Sequence, residues 1–204
     1  MANKRLFVAV LLAILSLPVV ELGVIVGSKV GRTVLEDSCV VVLNLDGSHG
    51  SGFIVDANSI ITARHVVDCN SLSVVLTPDE EVYRVIRVQR SSADAARLYV
   101  DRPFTTKPAR LASCEVHLRD AVEIVGTPCD LRHFNAVMPG VVVKLDVDTR
   151  TEYSSAHIHF VDAHVSAGVS GAPVFHQGLV VGITVLTNGY WTGFIPLAEF
   201  QDIL

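Results

Sequence analysis

"GSGFIVDANSIITARHVVD", residues 50–68, predicts two short strands that lead into a histidine. The segments 52–55 and 60–62 are rich in β-branched and aromatic residues, and the "DAN" between them is typical of a turn. The chain then turns within "TARHV", so we expect His65 to project from the end of a rigid hairpin. A histidine in this setting is either an ordinary exposed turn residue or a reactive group.

A second stretch, "SAGVSGAPVF" at 166–175, places one serine between two glycines, Gly168 and Gly171. The hydroxyl of Ser170 becomes a nucleophile only if a base accepts its proton, and an acid must hold that base in the right tautomer. The chain has 8 histidines, so the presence of a histidine proves little by itself. His65 is distinguished by its hairpin setting and is the predicted base.

Asp94, in "SSADAARLYVD", is the predicted acid, because it follows a predicted strand at 82–89 and precedes an apolar continuation. Three other aspartates are alternatives. Asp68 follows the histidine too closely along the chain to reach the far side of its ring. Asp79 lies in a charged hairpin tip, and Asp101 borders a linker.

The order histidine, aspartate, serine excludes one well-known rival site. "GVSGA" could be read as the G-x-S-x-G nucleophile elbow of α/β-hydrolases, whose residues follow the order serine, acid, histidine. The short remainder of the chain after Ser170 contains a single histidine, His176, only six residues on. No strand–helix–strand units are visible either, so the elbow interpretation fails.

From residue 38 onward the chain alternates short β-rich segments with turn-like residues. The stretch 101–113 has two prolines and little periodicity, and it is predicted to be a linker between two blocks of about six strands. Two such blocks favour paired β-barrels or sandwiches. The predicted strands are 39–45, 51–56, 59–62, 72–77 and 82–89 in the first block, and 121–126, 141–147, 156–161, 172–175, 179–186 and 192–196 in the second.

The N-terminus carries an export or membrane signal. Lys4 and Arg5 precede a nearly uninterrupted apolar run at 6–27, and about 20 apolar residues span a bilayer as a helix. We expect residues 1–30 to be an uncleaved anchor with a cytoplasmic N-terminus; a cleaved signal peptide with its apolar core at 6–20 is the alternative. Either way, the rest of the chain is membrane-anchored outside the cytoplasm or secreted.

Composition limits the partners and the metal chemistry. The chain has 204 residues, 50% of them hydrophobic, which is enough for one core or for two small subdomains that share a cleft. A net charge of -5 gives no basic footprint, so no nucleic-acid partner is expected. No C-x-x-C pair is present, so a structural zinc site is not expected. If the domain is exported, up to two disulfides are possible among Cys39, Cys69, Cys114 and Cys129, and all three pairings stay open.

Six segments resemble, in order, the landmark segments of trypsin-like serine proteases, most closely those of the HtrA/DegP type. They are "GSGFIVDANSIITARHVVD", "DAARLYV", "RDAVEIVGTP", "VDAHVSAGVSGAPVF", "GLVVGITVL" and "GFIPL". The resemblance covers about residues 38–200. It implies an all-β fold of two antiparallel six-stranded β-barrels, with the active site in the cleft between them. The protease domain would be 36–204, with barrel 1 at about 38–100 and barrel 2 at about 112–200.

The resemblance also implies a role for each motif residue. His65 and Asp94 would come from barrel 1 and Ser170 from barrel 2, as the base, acid and nucleophile of a triad that cleaves peptide bonds through an acyl-enzyme. The backbone N–H groups of Gly168 and Ser170 would form the oxyanion hole. No cofactor and no metal are implied, and the expected partners are protein or peptide substrates.

Substrate binding follows from the same resemblance. The strand at Val185, Leu186 and Thr187 would pair with the substrate backbone by strand addition. The primary specificity pocket would involve these residues and His164. No acidic residue lies at these places, so we expect small or aliphatic substrate side chains rather than Arg or Lys.

The chain departs from the family pattern in two motif positions and at its end. Val169 stands where Asn or Asp is usual, so no trypsin-type activation step is expected, and Ala172 stands where Gly is usual. The chain ends soon after "GFIPLAEF", so we expect no peptide-binding PDZ domain. Large regulated oligomers are therefore not expected, and the oligomeric state is left open.

Two other functions remain as alternatives. One is a catalytically silent, protease-like module that binds peptides. The other is a metal-dependent hydrolase built on "HIHFVDAH", in which His157, His159 and His164 would bind the metal. The chain contains no H-E-x-x-H motif, and a solvated strand face is the more ordinary interpretation of these histidines.

Overall fold

The computed structural model describes residues 34–67, 72–150 and 155–204 of the chain. The apolar segment at 6–27, predicted to be an anchor or a signal, lies outside these residues, as does Cys69. Across the described part of the chain, no helix is both long enough and apolar enough to span a bilayer.

The first half of the described chain forms a closed antiparallel barrel. Its elements are α1 (Val34–Asp37), β1 (Cys39–Asn44), β2 (His49–Asp56), β3 (Ser59–Thr62), β4 (Ser73–Leu76), β5 (Val82–Arg90) and β6 (Ala96–Val100). The strands are hydrogen-bonded in the order β1-β2-β3-β6-β5-β4. A 3₁₀ turn at Arg64–Val66 follows β3.

The second half forms another closed antiparallel barrel. Its strands are β7 (Ala121–Gly126), β8 (Ala136–Arg150), β9 (Ser155–Val161), β10 (Pro173–His176), β11 (Leu179–Thr187) and β12 (Thr192–Pro196). They are hydrogen-bonded in the order β10-β11-β12-β9-β8-β7, and 3₁₀ segments lie at Leu131–His133 and Leu197–Ile203. The predicted all-β fold of two six-stranded antiparallel barrels is therefore confirmed.

β1 is buried along its whole length because its apolar side chains pack on both of its faces. Val40 and Val42 belong to the main core of the molecule. Val41 lies in a separate cluster, against which Leu131 and Phe134 from the second barrel are packed. A strand covered on both faces reads as a continuous apolar run rather than as an alternating one, which explains "CVVVLN".

β8 is longer than the predicted strand at 141–147, and the prediction missed its first part. Pro139 and Gly140 look like turn residues in sequence, because proline cannot donate to a strand ladder. In the structure Pro139 pairs with β7 through Glu123, whereas the pairing of β8 with β9 begins only at Val142. Proline is tolerated here because this part of β8 has a strand on one side only.

The predicted linker at 101–113 crosses from the first barrel to the second without forming a strand. The Ala109 N–H donates to the carbonyl of Ile54 in β2 at 2.8 Å. The Ala112 N–H donates to the carbonyl of Val180 in β11, also at 2.8 Å. These bonds hold the crossing segment against both barrels.

Three of the four cysteines lie in the described chain, and they are not bonded to one another. Cys39 is buried, while Cys114 and Cys129 are exposed. Burial raises the pKa of the Cys39 thiol, so this side chain is a neutral core residue at physiological pH.

Candidate active site

His65 and Asp94 are in direct contact at the edge of the first barrel. His65 Nδ1 lies 2.7 Å from Asp94 Oδ2, and the backbone N–H of His65 donates to Asp94 Oδ1 at 3.0 Å. Asp94 is only 4% exposed, so its carboxylate depends on these donors rather than on water. An ionised carboxylate can only accept, so Nδ1 carries a proton and Nε2 is the basic nitrogen of the neutral ring.

The turn between β5 and β6 presents Asp94 to the histidine. The Ser91 N–H donates to the Ala95 carbonyl at 3.0 Å, which closes the turn, and Ala93 and Ala95 are buried. The carbonyl of Asp94 also accepts from the Arg64 N–H at 3.2 Å. Small residues on either side of the aspartate let this turn enter the protein far enough to meet the 3₁₀ turn that carries the histidine.

The alternative acids occupy other places. Asp101 Oδ2 accepts from Arg84 Nε at 2.8 Å, near the start of β5, whereas Asp94 follows the end of that strand. Asp79 lies in the turn between β4 and β5, and Asp68 lies outside the described residues. Among the predicted acids that the structure describes, it is Asp94 that contacts His65.

Ser170 lies in a tight turn between β9 and β10. Gly168 and Gly171, on either side of it, have φ angles of 97° and 82°, in the region that favours glycine. The Gly171 N–H donates to the backbone carbonyl of Thr184 in β11 at 2.7 Å, and the Ala172 N–H donates to the Val169 carbonyl at 2.9 Å. Val169 is fully buried in the core of the second barrel, so an apolar residue fits where a charged one would not.

This turn is packed against the first barrel beside the histidine. The Ser170 carbonyl accepts from the Ser51 N–H of β2 at 2.8 Å. A Cβ at Gly171 would lie 2.6 Å from the backbone nitrogen of Ala63, two residues before His65. A Cβ at Gly50 would lie 2.6 Å from Val66 Cγ2 and 3.0 Å from the Ser170 carbonyl oxygen. The structure therefore brings Ser170 and the His65–Asp94 pair to the same boundary between the barrels.

Two backbone amides and one hydroxyl in the turn have no hydrogen-bond partner in the part of the chain that the structure describes. Within residues 34–67, 72–150 and 155–204, neither the Gly168 N–H nor the Ser170 N–H has an acceptor, and the Ser170 hydroxyl makes no hydrogen bond. The Val169 N–H between them points elsewhere and donates to Ser166 at 3.3 Å. Two unpaired amides on one turn are what a developing oxyanion needs.

The sequence of this chain matches the profile of the trypsin-like peptidase domain over residues 50–183, which is more than half of its length. The chain belongs to the trypsin-like peptidase family. No curated protein sequence matches it.

Solved structures share the fold at low sequence identity. The active form of the Rv3671c protease from M. tuberculosis superimposes with a TM-score of 0.74 at 20% identity, over 83% of this chain and 80% of that chain. An inactive form of the same protease superimposes with a TM-score of 0.73 at 20% identity, over 83% of this chain and 88% of that chain. An inactive serine-to-alanine mutant of Rv3671c superimposes with a TM-score of 0.72 at 19% identity, over 85% of this chain and 89% of that chain.

The predicted substrate-binding strand lies at the end of β11, next to the serine turn. β12 pairs with β11 as far as Thr187, whereas β10 pairs with it only as far as Ile183. One edge of Val185–Thr187 is therefore without a partner strand among the described residues. Val185 is buried, Leu186 half-buried and Thr187 exposed. His164 is exposed in the loop that leads to the turn.

The histidines of the metal hypothesis lie in unlike surroundings. His157 is held between Glu199, at 3.0 Å, and Asp148, at 3.1 Å. His159 is buried and packs edge-on against Phe194. In the part of the chain that the structure describes, no group of three or more His, Cys, Asp or Glu side chains is arranged to hold a metal ion.

Sequence reasoning missed three residues that contact the serine turn or the loop beside it. Ser51 and His49 on β2, and Thr127 after β7, form hydrogen bonds across the boundary between the barrels. Ser51 lies in the motif "GSG", but nothing in that motif indicates a partner 117 residues further along the chain.

Proposed function

We propose that this protein is a serine endopeptidase with His65, Asp94 and Ser170 as its catalytic triad. The observation that carries the proposal is the buried Asp94 carboxylate, which binds both the ring and the backbone of His65 beside a turn with two unpaired amides. The family membership supports the same reaction class. The likeness to the HtrA/DegP type remains part of the proposal.

The chemistry begins with proton transfer. His65 Nε2 accepts the Ser170 proton as the hydroxyl attacks the substrate carbonyl carbon, and Asp94 stabilises the imidazolium that forms. Among the described residues the Ser170 hydroxyl has no hydrogen-bond partner, and the bond between a nucleophile and its base is often looser before substrate binds. The negative charge that develops on the carbonyl oxygen is stabilised by the N–H groups of Gly168 and Ser170.

Attack of the serine on the carbonyl carbon gives a tetrahedral intermediate, and the collapse of this intermediate breaks the peptide bond. His65 donates its proton to the leaving amine, and the acyl group stays on Ser170 as an ester. Water then attacks the ester, with His65 again as the base, which releases the second product and restores the hydroxyl. No step needs a cofactor.

Substrate recognition is proposed for the unpaired edge of Val185–Thr187. An extended peptide that adds to this edge runs past the serine turn and places its scissile carbonyl at the unpaired amides. His164 and the residues of this edge would line the primary pocket, and small or aliphatic side chains are the proposed preference.

Replacing the nucleophile tests the proposal. We expect Ser170→Ala to lower the hydrolysis of fluorescein-labelled casein by at least about 10³-fold with no loss of folding, and His65→Ala to cost a similar factor, because triad residues act as one unit. Ser166→Ala, in the same loop, is the matched control and should stay active. Labelling of the wild type, but not of Ser170→Ala, by a fluorophosphonate probe is the second expected result.

Casein hydrolysis that persists in purified Ser170→Ala protein would overturn the assignment. Peptide binding without cleavage or fluorophosphonate labelling in the wild type would instead support the silent binding module.

We also propose that the apolar segment at 6–27 attaches the peptidase domain to a membrane, outside the cytoplasm, or directs its secretion if it is cleaved. Its length and the flanking Lys4 and Arg5 support this. The full chain should stay with the membrane fraction after carbonate extraction, whereas a chain that lacks residues 1–30 should be released. A full chain found in the aqueous fraction with Met1 intact would exclude the anchor.

A further inference from the structure

The glycine at position 168 permits the conformation of the serine turn but does not enforce it. Glycine populates positive and negative φ about equally, so nothing local holds Gly168 at 97°. A rotation about this residue would turn its N–H away from the substrate and remove one of the two unpaired amides. Something outside the turn must therefore select one conformer.

Ser51 in β2 forms hydrogen bonds to the serine turn at Gly168 and at Ser170. Its hydroxyl donates to the Gly168 carbonyl at 2.8 Å, and its backbone N–H donates to the Ser170 carbonyl at 2.8 Å. The same hydroxyl accepts from the Thr127 N–H at 2.9 Å. Ser51 is 1% exposed, so water does not compete for these bonds. A hydroxyl has one proton to donate, and here that proton is committed to the carbonyl of Gly168.

The loop bound by Ser51 holds the peptide on the other side of Gly168. Cys129, two residues after Thr127, donates its N–H to the Ala167 carbonyl at 2.8 Å. In a trans peptide the carbonyl and the following N–H point in opposite directions, so this bond turns the Gly168 N–H away from the loop. Both peptides that flank Gly168 are thus held, one directly by Ser51 and one through the loop that Ser51 binds.

His49 fixes the same loop from the same face of β2. Its Nε2 lies 3.0 Å from the Thr127 carbonyl, and its ring occupies the space that a side chain at position 168 would need. Residues two apart on a strand share a face, so Ser51 and His49 act together on one surface. We call Ser51, His49 and Thr127 the inter-barrel clamp.

We infer that Ser51 is a positioning residue that holds the oxyanion hole in its active conformation through the inter-barrel clamp. This inference rests on the proposed function, because the hole has a use only if Ser170 is acylated. Without the Ser51 hydroxyl, the Gly168 carbonyl and the Thr127 N–H lose a partner. The bonds from the Ser51 N–H to the Ser170 carbonyl and from His49 to the Thr127 carbonyl remain, but neither holds the Gly168 carbonyl. The peptide after Gly168 can then rotate at the glycine.

The test compares Ser51→Ala with Ser59→Ala. Both serines are buried in the first barrel and hydrogen-bonded, Ser59 by accepting from Arg97 Nε at 2.9 Å, but Ser59 lies away from the serine turn. With p-nitrophenyl butyrate, we expect Ser51→Ala to lower kcat by about 10- to 100-fold, below the roughly 10²–10³-fold loss for complete removal of one oxyanion donor. KM should be nearly unchanged, because the hole acts on the transition state.

Two further readouts separate positioning from general destabilisation. The affinity for phenylboronic acid, which forms a tetrahedral adduct with the serine, should fall in Ser51→Ala in parallel with kcat. Ser59→Ala should lose thermal stability but keep both kcat and boronate affinity. In ¹⁵N-labelled full-length protein, the Gly168 amide should give a single resonance in the wild type and a shifted or split resonance in Ser51→Ala.

A Gly168 resonance that is the same in the wild type and in Ser51→Ala would overturn the inference, as would two Gly168 resonances in the resting wild type. An equal loss of kcat in Ser59→Ala would do the same. If the wild type shows no Ser170-dependent hydrolysis, the proposed function fails, and the Gly168 resonances still decide whether Ser51 holds the turn.

Discussion

Two histidines on β9, His157 and His159, have pKa values shifted in opposite directions from the ordinary histidine value. Glu199 and Asp148, on either side of the exposed His157 ring, raise the pKa of that histidine. Burial lowers the pKa of His159, although Asp146 lies 3.7 Å away. A raised pKa gives stability that is present below the ordinary histidine value of about 6.5 and is lost as pH rises. A lowered pKa gives stability that is present above that value and is lost as pH falls.

The melting temperatures of two single variants at pH 5.5 and pH 8 test these signs. In His159→Gln, acidification should lower Tm less than in the wild type, because a group that must stay neutral in the core is gone. In His157→Gln, acidification should lower Tm more than in the wild type, because a stabilising cation is gone. Each variant serves as the control for the other, and a change of pH dependence in the same direction for both would contradict the assignment.

The serine turn is packed against the first barrel, and a substitution at Gly171 tests how closely it is packed. Gly171→Ala places a Cβ at a φ of 82° and 2.6 Å from the backbone nitrogen of Ala63, the residue that directly follows β3. We expect a stability loss of at least about 1–3 kcal/mol from the backbone strain, and loss of casein hydrolysis as the turn is pushed off the first barrel. Urea unfolding and activity assays measure the two effects.

Gly189→Ala is the matched control for this turn. Gly189 lies in the β11–β12 hairpin with a φ of 85°, and nothing lies within 4 Å of the position its Cβ would take. Gly189→Ala should therefore lose stability through backbone strain but keep its casein hydrolysis. Equal activity losses in Gly171→Ala and Gly189→Ala would mean that close packing against β3 is not what the turn requires.

Short sequence motifs predicted the individual strands and turns better than they predicted the contacts between distant strands and turns. The hairpin before His65 and the turn around Ser170 each depend on residues that are neighbours in sequence, so turn chemistry and β-branched runs identify them. The bond from Ser51 to Gly168 joins residues 117 apart, and no periodic pattern carries that information. The first part of β8 was missed because Pro139 is acceptable only where a partner strand is absent, which depends on the topology of the whole barrel.

At the scale of the whole molecule, the two barrels share one core. The main cluster of buried side chains contains Phe53 from the first barrel, Ile183 from the second, and Phe200 from the C-terminal 3₁₀ segment Leu197–Ile203. That segment returns to the first barrel, where the Asp202 carboxylate accepts from the Ser91 hydroxyl at 2.7 Å. A core that crosses the boundary makes the folding of one barrel depend on the other.

We therefore expect the barrels to unfold together, in a single transition. Trp191, the one tryptophan of the sequence, lies in the second barrel, whereas far-UV circular dichroism reports both, so the two signals should give the same Tm. Phe200→Ala removes a fully buried ring at the junction and should cost about 3–5 kcal/mol, and it should shift both signals equally. Ile86→Ala, at a side chain that is 66% exposed on β5, is the control and should leave Tm nearly unchanged. If Phe200→Ala separated the two signals into two transitions, the two barrels would be able to unfold independently, and the shared core would not be what couples their folding.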